Sequence, residues 1–294
     1  MNLAARMLLV VVWLLHWLPL SILSELGHGL GLLLWHFAKG RRVVALRNLE
    51  LCMPELVPSV RERIAREHFV WLGRSLLERG LLWYASRARL RRIIHVEGDV
   101  HFADRTGRPV MWLVPHFVGL DVAGVATQIY QQRMVGSIYQ AQSNAVLDDA
   151  MRRGRLRFRL GELYSRQESA LPLVRAIKRG SVFFNLPDMD FGARDAAFVP
   201  FFGVPAATLL APSRMARSLN MTVQPVVVDM LPRGRGYRVR FLEPWSDWPS
   251  DDALGDAKRM NEWIEVQVRR NPAQYLWVHK RFKTRPSGEK RLYE

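Results

Sequence analysis

The stretch Val110-Met111-Trp112-Leu113-Val114-Pro115-His116-Phe117-Val118-Gly119-Leu120-Asp121 runs from five consecutive apolar residues to a histidine, a glycine and an acid. A short apolar run with no polar alternation is what a strand buried on both faces requires. The helical pattern that follows covers residues 119–132. A buried strand turning into a helix is the repeating unit of an α/β layer fold.

His116 and Asp121 would not share a face of a regular helix, since five residues at about 100° each leave them roughly 140° apart. They meet if His116 ends the strand and Asp121 lies in the first turn of the helix, with Gly119 allowing the sharp turn between them. An imidazole with a carboxylate partner is two thirds of a nucleophile-activating triad. A substrate hydroxyl takes the place of the missing protein nucleophile and attacks an acyl thioester directly. The competing reading of so short a motif is a structural histidine near a surface acid.

Outward from this point the same alternation recurs. Strands are expected at residues 135–139, 181–186 (SVFFNL), 222–229 and 237–242, and helices at 144–157, 170–178, 209–219 and 253–270. Residues 43–90 read as helical, with Ile64, Phe69, Leu72, Leu76 and Leu77 near helical spacing, and residues 98–109 as a loop. The expectation is a single α/β catalytic domain, residues 25–294, with a mixed central sheet flanked by helices.

Residues 7–23 (MLLVVVWLLHWLPLSIL) carry no acidic or basic group except His16, and a second apolar patch at 30–37 is closed by Lys39, Arg41 and Arg42. About 17 residues is the lower limit for a spanning helix. Residues 1–24 are read as a hydrophobic membrane-anchor helix, spanning or lying in the interface, with Trp13, Trp17 and Trp35 at headgroup depth. A buried core helix and a cleaved signal peptide are the other readings of this segment.

Among the 294 residues, 43 Lys and Arg face 27 Asp and Glu, for a net charge of +16. Such an excess points to an anionic partner: a membrane surface, a phosphorylated substrate, an acidic protein or a nucleic acid. No groove-reading motif accompanies the basic residues, and the apolar N-terminus has no role on nucleic acid, so that partner is set aside. The sequence has no Walker loop, GxGxxG or zinc-ligand spacing, and the single Cys52 excludes an intrachain disulfide. No metal ion and no cofactor is expected.

The Pro115-His116-Phe117…Asp121 block after a hydrophobic strand resembles the first motif of the glycerolipid acyltransferase superfamily. Gly161-Glu162-Leu163-Tyr164-Ser165-Arg166 is similar to its second motif, Leu186-Pro187-Asp188-Met189-Asp190-Phe191-Gly192 to its third, and Val223-Gln224-Pro225-Val226 to its fourth. Within it the chain looks most like the late acyltransferases of lipid A biosynthesis. The segments at 47–55 (RNLELCMPE), 187–192 (PDMDFG), 199–203 (VPFFG) and 274–286 (QYLWVHKRFKTRP) carry that likeness.

The resemblance implies His116 as general base and Asp121 as its partner. It implies Arg166 holding a phosphate of the acceptor or of the donor's pantetheine, Asp188 and Asp190 shaping the site near the acceptor, and Arg194 adding a phosphate contact. Gln140 stands where relatives often place an arginine. The implied donor is an acyl-acyl carrier protein. The implied acceptor is a phosphate-bearing lipid A precursor, acylated on a hydroxyl of an existing acyl chain, at the cytoplasmic side of a bacterial inner membrane. The acidic carrier would dock on the arginines of residues 152–159, which otherwise form a solvated helix face.

Three alternatives stand beside this: a glycerophospholipid acceptor, an amino-acid lipid acceptor, and a non-catalytic peripheral protein that binds anionic membrane. Asp188 and Asp190 are also read as turn residues after a strand, residues 198–202 as core or acyl-channel lining, His279 as structural, and Cys52 as inert.

Overall fold

The computed structural model describes every residue except Met1, Glu168 and Glu294. Five helices come first: α1 (Asn2–Leu15), α2 (Leu20–Phe37), α3 (Lys39–Cys52), α4 (Pro58–Tyr84) and α5 (Arg87–Ile93). Strands and helices then alternate: β1 (Ile94–Gly98), α6 (Phe102–Arg105), β2 (Val110–Leu113), α7 (Leu120–Tyr130), β3 (Val135–Tyr139), α8 (Ala145–Leu156), β4 (Gly161–Ser165), α9 (Leu171–Lys178) and β5 (Val182–Asn185). After a hairpin of β6 (Ala196–Phe201) and β7 (Val204–Leu209) come α10 (Ala211–Ser218), β8 (Thr222–Met230), β9 (Tyr237–Phe241) and α11 (Ala253–Arg270).

Seven strands form one sheet in the order β1-β9-β8-β2-β5-β3-β4. All pairs are parallel except β8 with β9, so the sheet is mixed, as expected. The middle strands β2 and β5 are buried along their whole length, which is why both read as unbroken apolar runs. Because they run side by side in the same direction, the chain leaves both at the same edge of the sheet.

The N-terminus departs from the expected anchor. Among the described residues no helix is long and apolar enough to cross a membrane. The apolar run is broken at residues 16–19, because proline cannot donate a helical hydrogen bond and restricts the residue before it. The first piece, α1, has 14 residues, about 21 Å at 1.5 Å per residue, against a hydrocarbon core of about 30 Å. The second piece, α2, continues to Phe37, so residue 24 lies within it.

One face of α2 (Leu20, Leu23, Ser24, Gly27, Gly31, Trp35) is buried. It lies so close to α4 that a Cβ on Gly31 would stand 2.4 Å from the Phe69 carbonyl oxygen, and one on Gly73 would stand 2.4 Å from the Gly27 oxygen. Only glycine permits that approach. Leu3, Met7, Val10 and Trp13 of α1, Trp17 in the break and Leu33 of α2 are exposed.

Four strands escaped the sequence reading. The ends of β1 and β4 carry too few apolar residues to stand out, since both lie at the edges of the sheet. The β6–β7 hairpin is masked by Pro200 and Pro205, which face each other across the pair. Proline is tolerated there because a two-stranded hairpin has free edges. Its turn, Phe202-Gly203, has φ of 51° and 76°, the double-positive geometry that matches strand twist.

Candidate active site

His116 follows β2 and Asp188 follows β5, so the strand pairing brings them together at the carboxyl edge of the sheet, where α/β folds place their sites. The Asp188 carboxylate accepts the His116 backbone N–H at 2.9 Å, and its Oδ1 stands 2.7 Å from His116 Nδ1. The Asp188 side chain is fully buried and the His116 side chain is 13% exposed. Burial alone would raise the Asp188 carboxyl. The charge of His116, its ring and backbone hydrogen bonds, and Arg281 outweigh burial and hold it below the ordinary carboxylate range. An ionised carboxylate only accepts, so Nδ1 carries the proton and Nε2 presents its lone pair. That is the tautomer a general base needs.

Asp121 is placed differently from the expectation. It lies in the first turn of α7. Its Oδ1 takes Arg155 at 2.7 Å, and its Oδ2 is 3.2 Å from Arg79 Nε. Burial pushes its carboxyl up, but the two guanidiniums hold it below the ordinary value. Among the described residues it makes no hydrogen bond to His116; the carboxylate on the ring is Asp188. The reason is directional. His116 turns toward β5, while the start of α7 faces α4 and α8, from which Arg79 and Arg155 reach it.

Asp190 ties loops together. Its Oδ1 accepts the Gly192 N–H at 3.0 Å and the Thr284 hydroxyl at 2.8 Å, and its Oδ2 accepts the Thr284 N–H at 2.6 Å. Its own N–H donates to His279 Nε2 at 3.1 Å. Arg166, at the carboxyl end of β4, is exposed; its guanidinium lies 4.4 Å from the Phe191 ring centroid and donates to the Phe191 carbonyl at 3.1 Å. It therefore joins the loop that carries Asp188. Arg194 does not: its side chain is 96% exposed and reaches only Asp195.

The arginines of 152–159 are mostly committed inward. Arg152 donates to the Tyr139 hydroxyl at 2.7 Å, Arg155 pairs with Asp121, and Arg157 donates to the Leu82 and Ala85 carbonyls. Arg153 and Arg159 remain exposed. Among the described residues no three His, Cys, Asp or Glu side chains gather as a metal-binding group. Cys52 is buried, and burial pushes its thiol well up.

The segment after α11 supplies what sequence reasoning could flag but not assign. It crosses the histidine loop as an antiparallel strap: Val118 N–H donates to Gln274 O at 2.8 Å, and Leu276 N–H donates to His116 O at 3.0 Å. Tyr275 is buried beside Asp188; burial and that neighbouring carboxylate push its phenol well above its usual value. Asn48, on α3, donates to the Trp277 and His279 carbonyls at 2.6 and 2.7 Å. Arg281 donates to Ala207 O and Thr208 Oγ1 on β7. The two motifs at 47–55 and 274–286 are therefore one structure.

With this arrangement in view, comparison with known proteins is decisive. Residues 3–284 match the family described as bacterial lipid A biosynthesis acyltransferase. The chain belongs to that family. It is 34% identical over 281 residues to the lipid A biosynthesis lauroyltransferase of Escherichia coli K12, covering 95% of this chain and 90% of that one. It is 33% identical to the palmitoleoyltransferase of the same organism, over 96% of this chain and 92% of that one. To its lipid A biosynthesis myristoyltransferase the identity is 30%, over 93% and 83%. The enzyme is thus an acyltransferase.

Proposed function

We propose that this acyltransferase moves a fatty acyl chain from an acyl-acyl carrier protein thioester to a hydroxyl of a lipid A precursor. His116 acts as general base and Asp188 as the carboxylate that orients it. The acceptor hydroxyl oxygen attacks the thioester carbonyl as His116 Nε2 takes its proton. The C–S bond then breaks, and the thiolate leaves with the proton returned by the imidazolium. Asp188 keeps Nδ1–H in place and stabilises the cation that forms at that moment. Asp121 serves the site at one remove, holding the start of α7 against Arg79 and Arg155. Arg166 contacts a phosphate.

The observation that carries this reading is the 2.7 Å His116–Asp188 pair at the sheet edge of a chain belonging to this family. The acceptor is supported by the names of the relatives, which are lipid A biosynthesis enzymes. Residence at a membrane is supported by the exposed apolar side chains of α1, α2 and the turn between them, with Trp13, Trp17 and Phe37 among them. Such a pair of helices lies in the interface rather than spanning it. In a bacterium the catalytic domain would then work at the cytoplasmic face of the inner membrane.

The test is mass spectrometry of lipid A from cells with and without the gene. Loss of one acyl mass is expected, restored by the wild-type gene and not by His116→Ala. Unchanged lipid A with an altered phospholipid acyl profile would move the acceptor to a glycerophospholipid.

A further inference from the structure

Beside the strap, a cavity of about 370 Å³ is lined by Lys280, Lys283, Arg291 and Tyr293. Its walls are fixed from behind. The Tyr293 hydroxyl accepts the Phe282 N–H at 3.0 Å and pairs with the Asn48 side chain, the same buried asparagine that holds the Trp277 and His279 carbonyls. Leu292, between Arg291 and Tyr293, has its carbonyl held by Arg47 at 3.2 Å. The Lys280 ammonium sits 5.8 Å from the Tyr293 ring centroid. Lys280 directly follows His279, whose Nε2 accepts the Asp190 N–H, and Asp190 lies two residues from Asp188. The pocket is therefore built on the same loops that hold the His116 pair.

Three cations lining one cavity make it electropositive, a setting that favours an anion. Two ammonium groups and a planar guanidinium supply the donors that phosphate oxygens accept, while the Tyr293 O–H is already given to Asn48 Oδ1. We propose that this pocket is a phosphate subsite for the lipid acceptor, distinct from Arg166. A phosphate monoester of the glycolipid head docks here while the acceptor hydroxyl lies at His116. The assignment of the phosphate to the acceptor rests on the reading that the acceptor is a phosphorylated lipid A precursor.

The test compares the wild-type enzyme with Lys283→Gln/Arg291→Gln and with Lys280→Gln. Titration calorimetry with inorganic phosphate reads the pocket without turnover, and affinity in the double variant should fall roughly tenfold or more, as charge-assisted contacts are removed. In steady-state kinetics the KM for a bisphosphorylated acceptor should rise by a similar factor, with the KM for acyl carrier protein thioester within about twofold. On an acceptor lacking the phosphate that docks here, variant and wild type should become equal.

A rise in donor KM, or an equal loss on both monophosphorylated acceptors, overturns the acceptor assignment. Phosphate affinity that is unchanged in the double variant overturns the pocket. Phosphate binding that depends on the pocket, with no transfer to any phosphorylated lipid, overturns the proposed function and leaves the anion site standing.

Discussion

His116 Nδ1 and Asp188 Oδ1 lie 2.7 Å apart although 72 residues separate them in the chain, and the same carboxylate also accepts the His116 backbone N–H. One buried acid thus fixes both the loop and the ring of the histidine. It does so because two adjacent parallel strands deliver both residues to one edge of the sheet.

Asp188→Asn is expected to lower kcat by roughly 10²-fold or more, because an amide fixes the wrong tautomer and stabilises no imidazolium. Asp121→Asn should act mainly on stability, costing about 2 kcal/mol as Arg79 and Arg155 lose their shared partner, with a smaller effect on turnover. Thermal unfolding and single-turnover kinetics on both variants decide this. An inactive but fully stable Asp121→Asn beside an active Asp188→Asn would return the partner role to Asp121.

Arg166→Ala should raise the acceptor KM about tenfold and lower kcat less, and Arg166→Lys should recover only part of the loss, since an ammonium cannot copy a two-pronged grip. Varying each substrate in turn is the measurement. An effect confined to the carrier-protein thioester would place Arg166 on the donor side.

Acid should destabilise the fold through His68, which is fully buried with one nitrogen facing the Ala273 carbonyl at 3.1 Å. Burial holds its pKa down at about 4 against an ordinary 6.5. The neutral ring is the native form, so its stability contribution is complete above pH 6.5 and falls as pH drops from 6.5 toward 4, by up to roughly 3 kcal/mol. His68→Asn, which keeps the donor to Ala273, should flatten that limb in urea melts taken from pH 7 to 4. A limb of unchanged slope would show that other groups carry it.

The N-terminal helices should separate into a docking surface and a structural one. Replacing Val10, Trp13 and Trp17 with serine is expected to weaken vesicle flotation without shifting the unfolding midpoint, since all three are largely exposed. Gly31→Leu should cost about 3 kcal/mol, because its side chain meets the α4 backbone. Flotation unaffected by the serine replacements would remove the membrane role of that face.

Much of this was legible in the chain. Residues 110–114 and 181–186 announced buried strands because central parallel strands tolerate no polar alternation. The span 253–270 announced its helix, α11, through its amphipathic periodicity. The family segments marked the acyltransferase.

Other features depended on which surfaces meet. Strand order is set by long-range packing, so nothing local to His116 reveals that β5 lies beside β2, and Asp121 looked like the partner because it was near in sequence. The arginines of 152–159 read as a dock for an acidic carrier, or else a solvated face, because a charge in a string of letters does not show the Asp121 carboxylate or the Leu82 carbonyl awaiting it. Residues 7–23 looked like one anchor helix because hydropathy alone does not show that the helix breaks at residues 16–19. Sequence marked the buried central strands, the long helices and the family, which are properties of short spans. Tertiary structure decided the histidine's partner, the duty of each arginine and the basic cavity, because a contact between distant residues exists only once the sheet has paired.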